Sequence, residues 1–291
     1  MKNRFKFTPL DLILLAAIVL AVTYVVVKMK TDLHYKWDWP SVVSYIIRYD
    51  SIKMGYVPGL LISGLIVTFK LSVWATILAS IIGLVMGLLR IYGSAAWRLT
   101  SLIYVGIVRN IPSIVFIFIF YFFISGPVAD AFSLNSFSSS SSSGIVTFLL
   151  SSPAMLPVFI SAVLTLALYE GAYMTEIVRA GVESVEKGQS EAADALGLTW
   201  YQKMRHIVLP QAFKRILSPM AGQIISVIKD SAIVSVISVQ ELTFRGTELM
   251  ASTYKTYEIW ITITAMYFLL TYSCSVLVSG IEKRMQSRGY V

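Results

Sequence analysis

EAADALGLTWYQKMRHIVLP, residues 191–210, is a polar stretch that lies between two long apolar segments of the chain. Its first half has the pattern of a short helix. Ser190 is a suitable N-cap, and Glu191 and Asp194 follow in the first turn, where the helix dipole favours acidic side chains. Gly197 suits the left-handed conformation that commonly ends a helix. The pattern predicts a capped helix that starts at Ser190 and stops before Gly197.

The second half of the same stretch predicts another short helix. Thr199 and Gln202 have the spacing of a capping box, in which each side chain accepts a backbone N–H of the other residue. Pro210 is expected to stop this helix. The product is two short helices at an angle, with a slim, Ala-rich face. Spacing alone leaves two interpretations open: a loop that packs on its own protein, or a loop that enters a groove on a partner.

The composition excludes a soluble domain. Of the 291 residues, 56% are hydrophobic and only 14% are charged, and the mean hydropathy is +0.73. Apolar segments of about 20 residues span a bilayer as helices. The second such segment is too long for one straight crossing, so it tilts or begins with a turn near Pro58 and Gly59. The fold expected is an all-α integral membrane protein with about six transmembrane helices, near residues 10–27, 60–89, 99–124, 153–178, 217–239 and 259–278.

Loop charges indicate the orientation of these spans. With the N-terminus inside, fourteen Lys and Arg residues lie in the inner pieces and seven in the outer loops. Because positive residues concentrate on the cytoplasmic side, the bias favours both termini inside and the stretch 191–210 in the cytoplasm. The first outer loop, with five basic residues, goes against the rule. The net charge of +8 is thus explained by basic residues that set the orientation of the spans and contact lipid headgroups. No nucleic-acid partner is expected.

Several shorter segments have a plain interpretation beside a specific one. The first apolar segment has the basic start of a signal peptide, but no small-residue cleavage site precedes Lys28, so we keep it as a span. Within the aromatic-rich segment 35–56, residues 41–49 can form an interfacial helix or a simple aromatic belt. The serine run 138–143 predicts a flexible outer loop. Cys274 is the only cysteine, which excludes an internal disulfide.

Motifs of catalysis are absent from the sequence. No GxxxxGK(S/T) loop is present to bind nucleotide phosphates, so this chain is not an ATPase. HExxH, CxxC and GxSxG are also missing. His34 and His206 are isolated, which favours solvated side chains over catalytic or metal-binding ones. We therefore expect neither an enzyme nor a metal site.

Ionisable residues inside the spans are costly unless they pair or face water, so they are functional candidates. Glu170 lies deep in the fourth span, and Lys229 and Asp230 lie near the middle of the fifth. With Ser231 beside them they can line a substrate pathway, or they can form structural ion pairs that fix helix packing. Adjacent residues on a helix point about 100° apart, so Lys229 and Asp230 cannot both face the same partner.

Three further patterns concern helix contacts and the membrane edge. Glu176 and Arg179 are three residues apart near the cytoplasmic end of the fourth span and are expected to form an ion pair. Lys70 lies close enough to the outer half of the second span to extend its ammonium group to the interface. Gly83 and Gly87 form a GxxxG pattern, a weak signal for close helix contact.

The stretch 191–210 also carries a family resemblance. Glu-Ala-Ala at 191–193 is followed by three residues, Gly197, nine residues and then Ile-x-Leu-Pro at 207–210. This resembles the EAA signature of the membrane subunits of ATP-binding-cassette (ABC) importers, and the chain matches it at every fixed position. The resemblance implies a type I ABC importer permease bundle, and it favours a loop that docks on an ATPase over one that packs on its own protein.

Flanking segments resemble the branch of that family that serves polar amino acids. AYMTEIVRAGVESVEKGQSEAADALG, residues 172–197, and LPQAFKRILSPMAGQIISVIKDSAIVSVISVQEL, residues 209–242, follow its pattern. Ala180 replaces a usual glycine, and Ala232 replaces a usual hydroxyl residue. Arg-Asn-Ile-Pro at 109–112 stands where that branch usually has Arg-Gly-Thr-Pro, so the arginine and the proline are kept and the middle pair is not.

The resemblance assigns a role to residues 184–212, the coupling loop, which would transmit the action of an ATPase to the spans. The signature residues in this loop are Gly188, Gln189, Glu191, Ala192, Ala193, Gly197, Leu209 and Pro210.

The resemblance also implies partners. Two permease subunits, identical or homologous, would surround one pathway, with two ATPase subunits that bind ATP and Mg²⁺ below them. A periplasmic or lipid-anchored solute-binding protein would deliver the substrate from outside. The expected function is the permease subunit of an ATP-driven importer of the bacterial inner membrane, working by alternating access and holding no cofactor itself. The substrate would be a polar amino acid such as glutamine, glutamate, arginine or histidine, and the sequence does not choose among them.

The expected organisation has three parts. Residues 1–56 add a first span and an outer aromatic segment, residues 57–285 form the transmembrane domain, and residues 286–291 form a cytoplasmic tail. The family resemblance covers about residues 60–285.

The sequence leaves two alternative functions open. A stand-alone secondary transporter or channel would use Glu170, Lys229 and Asp230 as coupling or pore residues, but it leaves the EAA signature without a role. A membrane scaffold or sensor would not transport at all. Co-purification with an ATPase tests the first rival, and uptake of substrate tests the second.

Overall fold

Helices form nearly all of the structure, a computed structural model that describes residues 8–32, 35–52, 54–125 and 144–287. The serine run 138–143, with His34 and the last residues of the tail, lies outside the described residues. In chain order the elements are α1 (Pro9–Asp32), α2 (Trp39–Ile46), β1 (Ile47–Asp50), β2 (Gly55–Pro58), α3 (Leu60–Tyr92), α4 (Ala95–Asn110), α5 (Ser113–Ile119), a π segment (Phe120–Ser125), α6 (Gly144–Leu149), a 3₁₀ turn (Pro153–Met155), α7 (Leu156–Glu183), α8 (Lys187–Ala195), α9 (Trp200–Lys203), a π segment (Met204–Val208), α10 (Leu209–Asp230), a 3₁₀ segment (Ser231–Ile237), α11 (Leu242–Thr253) and α12 (Thr256–Ser287).

Among the described residues, four helical segments are long and apolar enough to cross a membrane. They correspond to the second, fourth, fifth and sixth predicted spans, which confirms a helical multi-span membrane protein. The 33 residues of α3 extend about 50 Å at 1.5 Å per residue, more than the roughly 30 Å of a hydrocarbon core. The four segments are Leu60–Tyr92, Pro153–Glu183, Trp200–Ile237 and Thr256–Gly280.

The third predicted span, 99–124, is not one helix. α4 ends at Asn110, α5 starts at Ser113, and the two helices meet at an angle of 116°. The cause is Pro112, which has no backbone N–H and disfavours the α conformation in the residue before it. Ile111 is accordingly extended, with φ −94° and ψ 137°. α4 and α5 count as a fifth span only if the two helices together cross the membrane as one broken helix.

The first predicted span, 10–27, lies within the single helix α1. Its apolar part, Pro9–Tyr24, is shorter than the four membrane-crossing segments found among the described residues. A membrane crossing by α1 therefore stays a prediction. The chain forms two compact units, Met1–Ser41 and Val42–Val291, and the predicted three-part organisation stays a prediction.

The predicted interfacial helix at 41–49 ends earlier than expected. α2 covers Trp39–Ile46, and the chain then forms an antiparallel hairpin of β1 and β2. Tyr49 pairs with Tyr56 in this hairpin, and their rings meet edge to face with centroids 5.5 Å apart. Aromatic cross-strand pairs stabilise such ribbons. The all-helical prediction missed this small two-stranded element.

α3 packs closely on α7 through two glycines. A Cβ at Gly83 would lie 2.5 Å from Cβ of Met174, and a Cβ at Gly87 would lie 2.7 Å from Cγ1 of Val178. Such distances are too short for carbon atoms, so the backbones approach this closely only because both residues lack a side chain. The helix contact indicated by the GxxxG pattern is confirmed. In a bilayer, where lipid tails are as apolar as the helices, this kind of packing holds spans together.

The main core lies where α3, α7 and α10 meet. Its buried residues are apolar and include small side chains on α3 that let the helices approach. α10, which directly follows the coupling loop, contributes Val227 to this core. The loop is therefore attached to a helix that is packed into the centre of the bundle. Members of this core include Leu71, Ala75, Ala79, Leu166, Met174 and Val227.

Candidate functional site

The coupling loop begins with α8, which starts earlier than the sequence suggested. α8 covers Lys187–Ala195, and Glu186 rather than Ser190 is its N-cap residue, so the predicted start was wrong. Glu186 has an extended ψ of 130°, and its carbonyl accepts the amide of Gln189 at 3.0 Å, which opens the helix there. No side chain caps this end in the structure.

Gly197 ends α8 in the left-handed conformation, as predicted, with φ +71°. The amide of Leu198 donates to the carbonyl of Ala193 at 3.1 Å. The amide of Gly197 donates to the carbonyl of Asp194 at 3.0 Å. The two bonds make a Schellman motif, which satisfies carbonyls of the last helical turn. A Cβ on Gly197 would meet no atom within 4 Å, so only the backbone conformation favours glycine here.

α9 starts with the predicted capping box. The amide of Gln202 donates to Oγ1 of Thr199 at 3.4 Å, and the amide of Thr199 donates to Oε1 of Gln202 at 2.9 Å. One turn further, Nζ of Lys203 lies 2.8 Å from Oδ1 of Asp194. This ion pair links α9 back to α8, so the two short helices are held together by a turn, a cap and a charge pair.

Pro210 does not stop the second helix, contrary to the prediction. α9 continues through the π segment Met204–Val208 into α10, in which Pro210 is the second residue. Proline is tolerated in a first helical turn, because the N–H of that residue is not needed there. Its missing N–H also accounts for the π segment before it, where the hydrogen-bond ladder widens. The coupling loop is thus continuous with the fifth span.

The surface of the coupling loop mixes acidic and large apolar side chains. Glu191 and Ala192 are exposed, whereas Ala193 is fully buried, so only part of the predicted Ala-rich face is open to a partner. Leu196 and Trp200 leave 79% and 56% of their surface exposed. Clustered apolar side chains on an exposed loop are typical of a binding surface.

An open groove of about 630 Å³ lies beside this surface, between the end of α3 and α9. Tyr92 and Trp200 meet edge to face in it, with ring centroids 5.6 Å apart. Arg205 lines the groove and donates to the hydroxyl of Tyr201 at 2.8 Å. The sequence analysis missed this groove, because its two walls come from segments far apart in the chain.

Glu176 lies at the centre of a chain of charges. Nε of Arg179 donates to Oε1 of Glu176 at 2.9 Å, and Nη1 of Arg90 lies 3.0 Å from Oε2 of the same carboxylate. Arg179 also pairs with Glu183, one turn further along α7. The sequence suggested the contact of Glu176 with Arg179 but not the one with Arg90, which ties α3 to α7.

Glu170 is fully buried on α7. Nε2 of Gln223, on α10, donates to its Oε2 at 2.5 Å. The other oxygen, Oε1, has no hydrogen-bond partner among the described residues. Asp230, at the end of α10, is an acidic side chain near this carboxylate. A buried acid with an unused oxygen is costly inside a membrane protein, so Glu170 is the candidate pathway residue that the geometry supports best.

Gln223 also lines a cavity of about 500 Å³ between α7 and α10, which we call the inner cavity. Its charged lining residues are Arg109, Glu176 and Arg215. The guanidinium of Arg109 lies over the ring of Tyr173, 5.3 Å from its centroid. An apolar wall with a few convergent groups of both charges suits a small zwitterionic ligand.

Lys229, Asp230 and Ser231 do not share one environment. Lys229 is exposed, Asp230 is half-buried, and Ser231 is fully buried. Oγ of Ser231 donates to the carbonyl of Ile228 at 2.7 Å, at the point where the α-helix tightens into the 3₁₀ segment. Of the two adjacent charges, Asp230 is the one near Glu170. A role of these residues in transport stays a prediction.

Glu241 is a second buried carboxylate, and the sequence analysis did not single it out. It accepts the amide of Phe244 at 2.8 Å and thereby caps α11. The hydroxyls of Tyr267 and Thr68 donate to its Oε2 at 2.8 and 3.3 Å. Burial raises the pKa of Glu241, and these donors oppose the rise. Capping rules point to Asp or Asn rather than Glu, so no sequence signal marks this position.

Comparison with known proteins identifies the family. Residues 79–287, more than half of the chain, match the family described as the binding-protein-dependent transport system inner membrane component. The chain belongs to this family. Its members are non-enzymatic membrane components of ABC importers, so the predicted family and the predicted ABC permease function are confirmed.

Individual relatives come from bacterial transport systems. The chain is 31% identical over 221 residues to the glutamine transport system permease protein GlnP of Escherichia coli (strain K12), an alignment that covers 75% of this chain and 90% of that one. It is 29% identical over 252 residues to the glutamate/aspartate import permease protein GltK of Escherichia coli O6:H1, with 86% and 99% covered.

Solved structures agree with the fold class. The chain matches the crystal structure of an amino acid ABC transporter with histidines at a TM-score of 0.66 and 32% identity, covering 86% of this chain and 100% of that one. A chain of the MetNI methionine ABC transporter matches at a TM-score of 0.58 and 20% identity, with 77% and 95% covered, a likeness of fold alone. The predicted type I ABC importer permease fold is confirmed, and the protein is a multi-pass membrane protein.

Proposed function

We propose that the chain is the permease subunit of an ATP-driven importer for a polar amino acid, in which the coupling loop transmits the motion of a separate ATPase to the spans. One observation carries the proposal. The coupling loop has the EAA signature and is joined without interruption to α10, because the helix continues through Pro210. A displacement of the loop is therefore passed directly to a helix of the core.

A single helix, α10, connects the coupling loop to the residues of the proposed substrate pathway. α10 bears Val227, which is buried in the core, and Gln223, which holds Glu170 on α7 and lines the inner cavity. A movement of α10 relative to α7 would change this contact and the cavity between the two helices. Alternating access requires such a change, and the ATPase can drive it only if its nucleotide states bind the loop with different free energies.

A polar amino acid fits the inner cavity by charge. The substrate carries a carboxylate and an ammonium. The cavity lining has Arg109 and Arg215 for the carboxylate. For the ammonium it has the side chain of Gln223 and the carboxylate of Glu176, which also pairs with Arg179 and Arg90. The relatives described above are named for glutamine and for glutamate/aspartate transport. Glutamine and glutamate are therefore the first substrates to test, and arginine and histidine, expected from the resemblance to the polar amino acid branch, are the next.

The assembly proposed has two permease subunits, two ATPase subunits and an external solute-binding protein, either periplasmic or lipid-anchored. ATP and Mg²⁺ would be bound by the ATPase subunits, and this chain would hold no cofactor. The excess of basic residues in the inner pieces supports both termini in the cytoplasm of a bacterial inner membrane, which puts the coupling loop on the side of the ATPase.

The test is reconstitution of the chain with its ATPase and its solute-binding protein. Proteoliposomes that contain this complex are expected to accumulate one of the four radiolabelled amino acids only when ATP and the binding protein are both present. Uptake by the chain alone, without ATP, would instead favour a stand-alone secondary transporter.

A matched pair of charge reversals tests the loop. Glu191→Lys alters an exposed residue of the EAA signature, whereas Glu186→Lys alters an exposed carboxylate just before the same helix, whose side chain makes no cap. Glu191→Lys is expected to abolish ATP-driven uptake with a normal amount of inserted chain, and Glu186→Lys is expected to retain most of it. Equal uptake by both variants contradicts the docking role.

A further inference from the structure

A second cavity, of about 410 Å³, lies near the first turns of α3 and α7, at the ends that the charge distribution predicts to face outward; we call it the outer cavity. Two cationic side chains line it, Lys70 and Arg245, together with Ser63, Ser151 and Ser152. No aspartate or glutamate belongs to its lining in the part of the chain that the structure describes. The cavity is therefore positively charged.

Lys70 has no carboxylate partner within the described residues. Its Nζ donates to the backbone carbonyl of Thr147 at 3.0 Å and lies 5.9 Å from the ring centroid of Phe148. A carbonyl and an aromatic ring fix the position of the ammonium group but leave its charge uncompensated. Because an ammonium has three N–H donors, donors remain for a ligand in the outer cavity. Lys70 is half-buried, and the extension of its ammonium group to the membrane interface stays a prediction.

Arg245 is positioned rigidly on the other side of the outer cavity. Its Nη1 lies 2.7 Å from Oε2 of Glu248, and its Nη2 donates to Oε1 of Gln240 at 2.7 Å. The stem packs on α3 at Gly64, where a Cβ would lie 3.0 Å from Cγ of the arginine. The Nε–H is buried without an acceptor among the described residues, although buried donors are normally satisfied.

The nearest acidic residues do not cancel these two charges. Glu248 is 46% exposed, so its pair with Arg245 is weakened by solvent. Glu241 is held by Thr68, Tyr267 and the amide of Phe244 and does not line the outer cavity. An anionic group in the outer cavity would meet a net positive lining with free hydrogen-bond donors.

We propose that the outer cavity binds the α-carboxylate of the transported amino acid after its release from the solute-binding protein and before it reaches the inner cavity. Every polar amino acid carries this group, so the outer cavity would recognise the class rather than one side chain. Lys70 supplies a charge-assisted hydrogen bond, the strongest kind available to a carboxylate, and the serines supply neutral donors. The inference rests on the proposed function and adds an outer binding station to it.

The test uses the whole complex in proteoliposomes, with radiolabelled L-glutamine, L-glutamate, L-arginine and L-histidine as probes. Lys70→Met removes the uncompensated charge, and Lys70→Arg keeps it. Arg48→Gln removes an exposed positive charge from the same predicted side but outside the outer cavity. Lys70→Met is expected to lower the maximum rate of uptake about tenfold, since a hydrogen bond to a charged group is lost, with the KM for the loaded binding protein unchanged. Lys70→Arg and Arg48→Gln are expected to stay near the wild-type rate.

A second pair of variants keeps the test decisive if Lys70→Met reduces assembly of the complex. Ser151→Asp adds a carboxylate to the outer cavity from a segment outside the helices, and Ser151→Asn adds the same volume without charge. The built-in carboxylate is expected to occupy the cationic lining and to lower the maximum rate about tenfold, whereas Ser151→Asn stays near wild type.

Three results would overturn the inference. A raised KM for the binding protein with an unchanged maximum rate would mean that Lys70 binds a carboxylate of that protein. Full-rate uptake in both Lys70→Met and Ser151→Asp would mean that the outer cavity binds no substrate carboxylate. A wild-type complex that imports none of the four probes would reject the proposed function, and this inference with it; normal wild-type uptake with unaffected variants rejects the outer cavity alone.

Discussion

The backbone amide of Leu198 lies 3.1 Å from the carbonyl of Ala193 and donates to it, across the left-handed turn at Gly197. This bond closes the C-terminal end of α8, and the capping box of α9 follows directly at Thr199. The coupling loop is therefore a shaped element with defined ends, and its geometry depends on one residue that tolerates a positive φ.

The first prediction concerns that residue. Gly197→Ala is expected to destabilise the turn by about 1–2 kcal/mol, because a Cβ is strained at φ +71°, and to lower substrate-stimulated ATP hydrolysis. Gly197→Asn is the control, since asparagine tolerates the left-handed region. Its loss of stability and of substrate-stimulated ATP hydrolysis is expected to be much smaller. Since no atom fills the space around a Cβ there, equal losses in the two variants would show that the backbone conformation is not the cause.

The second prediction concerns the contact of α3 with α7. Gly83→Leu is expected to lower the amount of folded, assembled complex, because its side chain would collide with Met174, and overpacking costs about 1–3 kcal/mol. Gly280→Leu, on α12, is the control, since a Cβ there meets no atom within 4 Å. Size-exclusion chromatography of the purified complex measures both. Normal assembly of Gly83→Leu would contradict the packing described.

The sequence predicted two features of the coupling loop that depend on neighbouring residues, but it placed the start of α8 at Ser190 instead of Glu186. The turn at Gly197 and the box of Thr199 with Gln202 follow from local backbone chemistry, and both are present. Pro210 was misjudged because proline is disfavoured rather than excluded inside a helix, as Pro219 within α10 also shows, and is well tolerated in a first turn. The sequence does not say where α10 begins. Long-range contacts were missed for a different reason.

The partners of buried charges come from distant parts of the chain. Gln223 holds Glu170 from another helix, and Arg90 joins Glu176 in the same way. Spacing within one helix suggested only the contact of Glu176 with Arg179, since periodicity relates residues on the same element. The two cavities likewise combine segments whose meeting depends on the packing of α3, α7 and α10.

The third prediction concerns the bond of Gln223 to Glu170. Gln223→Leu leaves the buried carboxylate without its donor, so it is expected to destabilise the complex by about 1–3 kcal/mol. Adding Glu170→Gln replaces the unpartnered buried acid with a neutral amide of similar shape and is expected to restore assembly but not uptake. Thermal unfolding and uptake are measured together. Restored uptake in the double variant would make Glu170 a purely structural residue.

The fourth prediction concerns topology. In a Cys274→Ala background, Ser152→Cys is expected to react with an impermeant thiol reagent in intact cells, and Lys187→Cys is expected to react only after lysis. Both positions are exposed, so access to the reagent depends on the side of the membrane. The reason is the absence of Lys and Arg from residues 125–152 against six in residues 179–215. The reverse labelling pattern would place the coupling loop outside the cell, where it could not contact a cytoplasmic ATPase.

The last prediction concerns the two adjacent charges at the end of α10. Asp230 is half-buried and near Glu170, whereas Lys229 is exposed. Asp230→Asn is therefore expected to lower uptake more than Lys229→Met does, with little change in the amount of assembled complex.

A structural ion pair predicts a different result for the same variants. Each single change would then lower assembly in step with uptake, because a charge is left without its partner. The double variant Lys229→Met with Asp230→Asn would restore both. Uptake and the yield of purified complex, measured for all three variants, separate the two roles, and recovery of uptake in the double variant would remove Asp230 from the pathway.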